Sequence, residues 1–434
     1  MRVQSAARHG LSSPWGFAFL TIAACGGRSS GSSDMSSGIA AGGASSGTSI
    51  VNTSGTGSGA SGGAVATRSF VDASATVSSG ALASGTSRSP PSCAPGGPGM
   101  TNCGPGGSGT ESCCTSLEVT GGTYYRTYDG VAGFDSIGEV PAPVPQVATD
   151  GGPTAEADPA TVSSFRLDKY LVTVGRFRQF VNAALPGDGG AGWLPALGSG
   201  KHTHLNGGLG LVNVGADGGV AYEQGWIASY DSSIAFPGVA FTWTTSAGSQ
   251  ENLPISGVTW VDAYAFCIWD GGFLPSEAEW GYAAAGGAQQ REYPWGSTDP
   301  GTNNQYAIFG YGAPVNGNAT GCYYPDVTTC TAGSAVNIAP VGTATLGAGL
   351  WGHLDLAGEM FEWVLDSYDT YVNPCVDCAN TTGKGPGNGV YDPAFRGGSY
   401  ATSTYYLLAP LRYDGPPPIG YPWGINGFRC ARTP

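Results

Sequence analysis

The chain has 434 residues, more than the roughly 100–200 that one domain needs, yet only 11% are charged and 74 are glycine, so a large part of it need not pack. A formal net charge of −14 argues against nucleic acid, which requires a basic face, and 17 lysines and arginines are few for adhesion to anionic lipid. Four histidines limit any metal chemistry built on imidazole.

The N-terminus has the pattern of a bacterial secretory signal over residues 1–25. Arg2 and Arg8 supply a positive start, and Phe17 to Ala24 is a short apolar run ending in small residues. Pro14 and Gly16 interrupt it, and the span is too short to cross a membrane as a helix. Ile22-Ala23-Ala24-Cys25 is similar to a lipobox, in which Cys25 takes the lipid and becomes the mature N-terminus. The alternative is an ordinary cleaved signal followed by an incidental cysteine. Lipidation of Cys25 leaves ten of the 11 cysteines, an even number suited to an oxidising compartment. The expected location is therefore extracytoplasmic, lipid-anchored at the outer membrane or cell surface.

Residues 26–110 are dominated by Ser, Gly, Ala and Thr, with Arg28, Asp34, Arg68, Asp72 and Arg88 as their charges. Such a stretch buries too little apolar surface to offset its ordering entropy, which predicts a flexible tether. Cys93, Cys103, Cys113 and Cys114 fit no zinc spacing and suggest a small disulfide knot of open connectivity. Vicinal Cys113 and Cys114 are not expected to pair with each other.

A folded domain is predicted over 111–434, its composition changing near Leu117, where aromatic residues become frequent. Val174, Phe177, Val181 and Ala184 recur at helical spacing, with Thr173 placed as the cap. A second helix is expected from Trp260 to about Trp269 under Thr259. A third is expected to begin at Ser276, where Ser276 and Glu279 match a capping box, and to end near Gly286-Gly287. Short strand candidates in long Gly/Pro-rich connections complete an α+β pattern.

Four segments then stand in order: Phe165-Arg-Leu-Asp-Lys-Tyr-Leu-Val-Thr173; Leu253-Pro-Ile-Ser-Gly-Val-Thr-Trp260 through Leu274-Pro-Ser-Glu-Ala-Glu-Trp280 to Tyr293-Pro-Trp-Gly296; Leu354-Asp-Leu-Ala-Gly-Glu-Met-Phe-Glu-Trp363; and Arg396-Gly-Gly-Ser-Tyr400 with Gly427-Phe-Arg-Cys430. Together, over about residues 117 to 432, they resemble the formylglycine-generating enzyme, or sulfatase-modifying factor, family. The resemblance implies a C-type-lectin-like α+β fold rich in irregular loops. It also implies oxidation of a sulfatase cysteine by copper(I) and oxygen, the metal being held by two cysteines after the Arg-Gly-Gly-Ser motif. Copper(I) is soft and demands thiolate. Here the matching positions are Thr402 and Leu407, and no cysteine lies between Cys378 and Cys430. No copper is expected, nor an active copper-dependent oxidase. Ser399 matches a serine lining the family's pocket, and Phe361 stands where the family has tryptophan.

The family also carries calcium. One site maps onto Asp355 and Glu362 through side-chain oxygens and onto Gly358 and Met360 through carbonyls, a hard-oxygen set suited to Ca2+ in a structural role. The plain alternative has Glu362 accepting from nearby backbone and Asp355 facing water. Glu359 replaces the family's asparagine there, adding charge or pointing outward. A second family site falls near Asn303, Asn304 and Asp326, without residue-level assignment. Cys267 matches a position that pairs with the terminal cysteine, here Cys430, a closure contributing about 4–5 kcal/mol in the chain-entropy model. From spacing, Cys322 and Cys330 suggest a local loop. Cys375-x-x-Cys378 is open between a redox pair, half a zinc site and a loop staple, with no basic neighbour to activate a thiol and so favouring the staple. His202-x-His204 is the close histidine pair: on a strand it could hold a metal, but its Gly-rich setting favours solvated loop histidines. Tyr405, Tyr406, Tyr413, Tyr421 and Trp423 either pack a loop-rich fold or line a groove for peptide or sugar.

Two functions follow from the resemblance and its lapse. One is a non-catalytic binding or scaffold module for a peptide, protein or glycan, with no nucleic-acid partner and membrane contact through the lipid alone. The other is an oxidoreductase-like enzyme of altered chemistry in the same cleft, with Ser399, Thr402 and Arg412 as candidates but no base poised beside the hydroxyls.

Overall fold

Three helices form where the caps predict them. The computed structural model describes residues 90–94, 102–128, 156–185, 192–215, 221–234, 242–311, 321–331, 335–381, 392–414 and 424–434, all within one unit, Ala83–Pro434. The expected signal, Cys25, most of the tether, Tyr421 and Trp423 lie outside the described residues. Helix α1 spans Val174–Ala184, and the Thr173 side chain accepts from the Arg176 N–H at 3.2 Å. Helix α2 spans Trp260–Trp269, with Thr259 and Asp262 satisfying each other's orphan groups in a capping box. Helix α3 spans Glu277–Ala285, opens on the Ser276–Glu279 box and ends at Gly286, whose φ of 65° only glycine adopts without strain.

Every residue of α3 is buried, two glutamates included, so the fold must supply partners for Glu277 and Glu279. Between α2 and α3 runs the strand Phe361–Ser367, buried along its whole length. Its alternation sends Phe361, Trp363 and Leu365 into the cluster built on α1 and α2, and Val364 into the cluster built on α3. Two indoles fix the junction: Trp260 donates to the Val364 carbonyl at 2.8 Å, and Trp363 to the Val258 carbonyl at 2.9 Å. This strand is central in a four-stranded sheet ordered Arg412–Asp414, Pro393–Arg396, Phe361–Ser367, Asn426–Gly427. The register sets Arg396 opposite Glu362 on one side and Arg412 on the other.

A three-stranded sheet joins Ser116–Val119, Phe165–Asp168 and the terminal strand Ala431–Arg432. Behind it lies a charged knot. Arg176 reaches Asp168 at 2.9 Å and Asp270 at 2.7 Å, all three side chains being fully buried, and Arg432 reaches the same two carboxylates. Ser92 enters this knot, its N–H donating to Asp270 and its hydroxyl accepting from the Arg176 Nε. Residues 90–94 and 102–110 thus belong to the fold rather than to the tether predicted to run through 110. Two disulfides, Cys93–Cys114 and Cys103–Cys113, clamp them there. The other three are Cys267–Cys430, Cys322–Cys330 and Cys375–Cys378.

Candidate functional site

The turn after Arg396 is built on two glycines. Gly397 and Gly398 have φ of 91° and 72°, and a Cβ on either would lie within 3 Å of a backbone carbonyl, Leu356's for the first and Tyr406's for the second. That close approach buries Ser399 and Thr402 side by side. The Ser399 N–H donates to the Thr402 Oγ1 at 2.8 Å, that hydroxyl donates back to the Ser399 carbonyl at 3.1 Å, and Ala401 N–H donates to the Ser399 Oγ at 3.3 Å. Both side chains close the turn, and among the described residues neither is hydrogen-bonded to a histidine or carboxylate. Leu407 packs with Ala307, Phe309 and Ala357, with Tyr293, Trp295 and Tyr323 alongside.

Arg412 is drawn away from those hydroxyls by Glu277. Its Nε and terminal nitrogen donate to the two Glu277 oxygens at 2.8 and 2.7 Å, and Arg396 donates to Glu277 at 2.8 Å. Burial pushes the Glu277 carboxyl up, but Arg412 and Arg396 outweigh it and hold the group below the usual range. Asp366 next to this cluster is pushed up to about 7 by burial and by Glu277. Of the described loop aromatics, Tyr406 and Tyr413 pack on Phe361, at 6.0 and 6.1 Å between ring centroids, and Tyr405 packs edge-on to Tyr406.

The residues matched to calcium share one tight turn. Asp355, Gly358 and Glu359 all take left-handed φ, of 58°, 79° and 63°. Asp355 is buried rather than facing water, and its Oδ2 accepts from Gly342 N–H at 2.7 Å. Glu359 points inward, accepting from Ala339 N–H at 2.8 Å, while Glu362 takes both ends of the Arg429 guanidinium at 2.6 and 2.8 Å instead of backbone donors. The Gly358 carbonyl accepts from Met360 N–H at 2.8 Å. Burial raises Asp355 to about 6, against Arg429 and with Glu362; burial and then Asp355 raise Glu359. Asp355 and Glu362 thus share one guanidinium with Glu359 beside Asp355, an excess of acid oxygen that suits a hard divalent cation. No cluster of three or more metal-binding side chains around one point occurs among the described residues, so a calcium ion would lean on the Gly358 and Met360 carbonyls. In the second region Asn304 donates to the Tyr323 carbonyl, and exposed Asp326 caps the turn at Thr328 and Thr329.

His202 is not the solvated loop residue its Gly-rich setting suggested. It is fully buried, with Nδ1 at 3.1 Å from Glu223 and Nε2 at 3.0 Å from Glu279. Burial pulls its pKa down, but Glu279 and Glu223 outweigh this and hold it near 10. His204 is half-buried over the Phe273 ring, and among the described residues its two ring nitrogens have no hydrogen-bond partner. Sequence reasoning missed these ionic pairs and the Glu277 cluster. The available signal was arginine inside apolar runs, as in Val-Gly-Arg-Phe-Arg of α1 and Gly-Phe-Arg-Cys at the terminus.

A sparse α+β scaffold around a glycine turn and an acid-rich loop is the frame on which sequence and fold agree. The chain belongs to the sulfatase-modifying factor family: the model for the sulfatase-modifying factor enzyme 1-like domain matches residues 108–434. A formylglycine-generating enzyme of Streptomyces coelicolor is 32% identical over 275 residues, covering 62% of this chain and 77% of the relative. An inactive C-alpha-formylglycine-generating enzyme 2 of Bos taurus is 47% identical over 53 residues, 12% of this chain and 18% of that one. Among solved structures, PvdO from Pseudomonas aeruginosa is similar with a TM-score of 0.38 at 18% identity, over 74% of this chain and 94% of that one.

Proposed function

We propose that this chain is a non-catalytic member of the family, a binding or scaffold module for a peptide, protein or glycan, held outside the cytoplasm by a lipid on Cys25. The observation that carries the reading is the state of the sulfurs. Thr402 and Leu407 occupy the positions of the family's copper ligands, and all ten cysteines among the described residues are spent in five disulfides. That leaves the described domain no thiolate for copper(I). The part-match to a relative named inactive agrees. The altered-chemistry alternative lacks such support, because Ser399 and Thr402 bond each other and Arg412 is held by Glu277.

The test is to incubate the purified full chain with copper(I), oxygen and a sulfatase-type cysteine peptide, reading formylglycine by mass spectrometry and oxygen by electrode. No aldehyde and no oxygen uptake above the protein-free control are expected; turnover of the peptide overturns the reading.

Calcium belongs to the same proposal, in a structural role. Asp355 and Glu362 would hold it with the Gly358 and Met360 carbonyls, the ion supplying charge neutralisation in a buried, acid-rich turn. Binding to the folded state alone stabilises by about 2.7 kcal/mol at a hundredfold excess over Kd. The melting temperature of the chelator-washed chain should therefore rise with Ca2+ and not with Na+ at equal ionic strength. An Asp355→Ala variant should lose the rise, and equal melting in EGTA and in calcium counts against the site.

A further inference from the structure

Away from the glycine turn, a cavity of about 210 Å³ opens between the start of α2 and the loop after strand Ala221–Tyr222, its lining including Glu223, Tyr230, Trp260 and Tyr264. It shares no residue with Ser399–Leu407 and is independent of the reading above. Three aromatic rings make its wall: Tyr230 stands edge-on to Trp260 at 5.5 Å, and Trp260 lies 5.2 Å from Tyr264. Trp226 backs Tyr230 and Tyr264 at 5.3 and 5.7 Å, its indole N–H fixed on Asp231 at 2.7 Å. The rings are set by the fold, since Trp260 is anchored on Val364.

Behind the wall two carboxylates share one imidazole. Glu223 is 2% exposed, lines the cavity, and shares His202 with Glu279. The acids there outnumber the one basic ring. Among the described residues that line it none is cationic. Aromatic faces present negative quadrupole potential and attract a desolvated cation held against them. The volume lies below the roughly 300–1,000 Å³ of drug-sized ligand sites, which restricts the guest to a single compact head group. The chain's net charge of −14 draws cations toward it.

We propose that the Tyr230–Trp260–Tyr264 pocket over Glu223 binds a small alkylammonium cation of the choline type. The rings enclose the methyl groups, and the Glu223 side supplies the counter-charge. An anionic group attached to the guest is disfavoured by the same carboxylate.

Calorimetric titration of the purified full chain with choline, phosphocholine, glucose and 3,3-dimethyl-1-butanol tests this, the alcohol being choline's neutral isostere. Choline should bind saturably at one site, more tightly than the other three. Tyr230→Ala should weaken choline about 5- to 30-fold, Tyr230→Phe should keep most of the affinity, and Glu223→Gln should weaken it while keeping the acceptor that His202 and Leu211 N–H use. No saturable choline binding overturns the proposal. So does equal or tighter binding of the alcohol, glucose or phosphocholine, a comparison on the unaltered chain that stands even if a variant fails to fold. A folded Tyr230→Ala with unchanged affinity also overturns it.

Discussion

His202 sits between two carboxylates in a place water does not reach, and that ties its ionisation to the fold. Its folded pKa of about 10 stands above the unfolded value near 6.5. Between those values the folded chain holds a proton that the unfolded chain has lost. Stability is therefore complete below about pH 6.5 and declines as pH rises toward 10, with a limiting slope of about 1.4 kcal/mol per pH unit. Glu279 works in the opposite sense: burial raises it, but His202 outweighs burial, so its contribution fades as pH falls through the carboxylate range. Urea melts from pH 6 to 10 should show that decline in the unaltered chain and a shallower one in His202→Gln. Parallel slopes would remove the charged histidine from the account. None of this was legible in the sequence. Glu223 and Glu279 lie 21 and 77 residues from His202, and a Gly-rich segment carries no periodicity to announce burial. Arg176 of the Asp168–Asp270 knot and Arg429 of the pair with Glu362 stand inside apolar runs, but nothing local points to their carboxylates. Their partners meet only after the chain folds, whereas Thr402 and Leu407, where the resemblance expects cysteine, are a matter of residue identity and need no fold to be read.

At the scale of elements, what was legible is what is local. Thr173, Thr259 and Ser276 each cap the helix that follows, because cap, first turn and apolar spacing lie within one short window. The strands escaped, most being two to four residues long and paired across distant segments, as Cys375–Val376 is with Ala157–Val162. Helix α3 shows how a local signal and a remote one share a residue. Glu279 accepts from the Ser276 N–H at 2.8 Å, completing the box, and the same Oε2 meets His202 at 3.0 Å. Replacing Ser276 by Ala should cost about 1 kcal/mol, the usual worth of a cap. Replacing Glu279 by Ala removes the reciprocal half of the box and leaves a buried imidazolium with one counter-ion, a loss of about 3–5 kcal/mol for breaking a buried pair. Denaturant midpoints of the two variants should differ clearly, Glu279→Ala being the lower. Similar midpoints would mean the histidine gives up its proton at little cost.

Over the whole molecule, the disulfides decide how a chain so poor in regular structure stays folded. Cys267 on α2 and Cys430 beside the terminal strand are 163 residues apart, while Cys322 and Cys330 are 8 apart. A crosslink acts mainly by restricting the unfolded chain, so the longer closure should matter more, at about 4–5 kcal/mol against about 2–3 kcal/mol for the shorter. Packing reinforces the difference. Cys267 and Cys430 are both fully buried in the cluster that holds Phe177, Phe266 and Phe428, whereas Cys322 and Cys330 staple a short loop near exposed Asp326. Replacing Cys267 and Cys430 together by alanine should lower the urea midpoint markedly, with the m-value rising as the unfolded state expands. The Cys322 and Cys330 double replacement should move it about half as far. If the short closure proves the costlier, the stabilisation lies in the folded loop rather than in chain entropy, and the region around Asn304 and Asp326 becomes an ordered part of the fold in its own right.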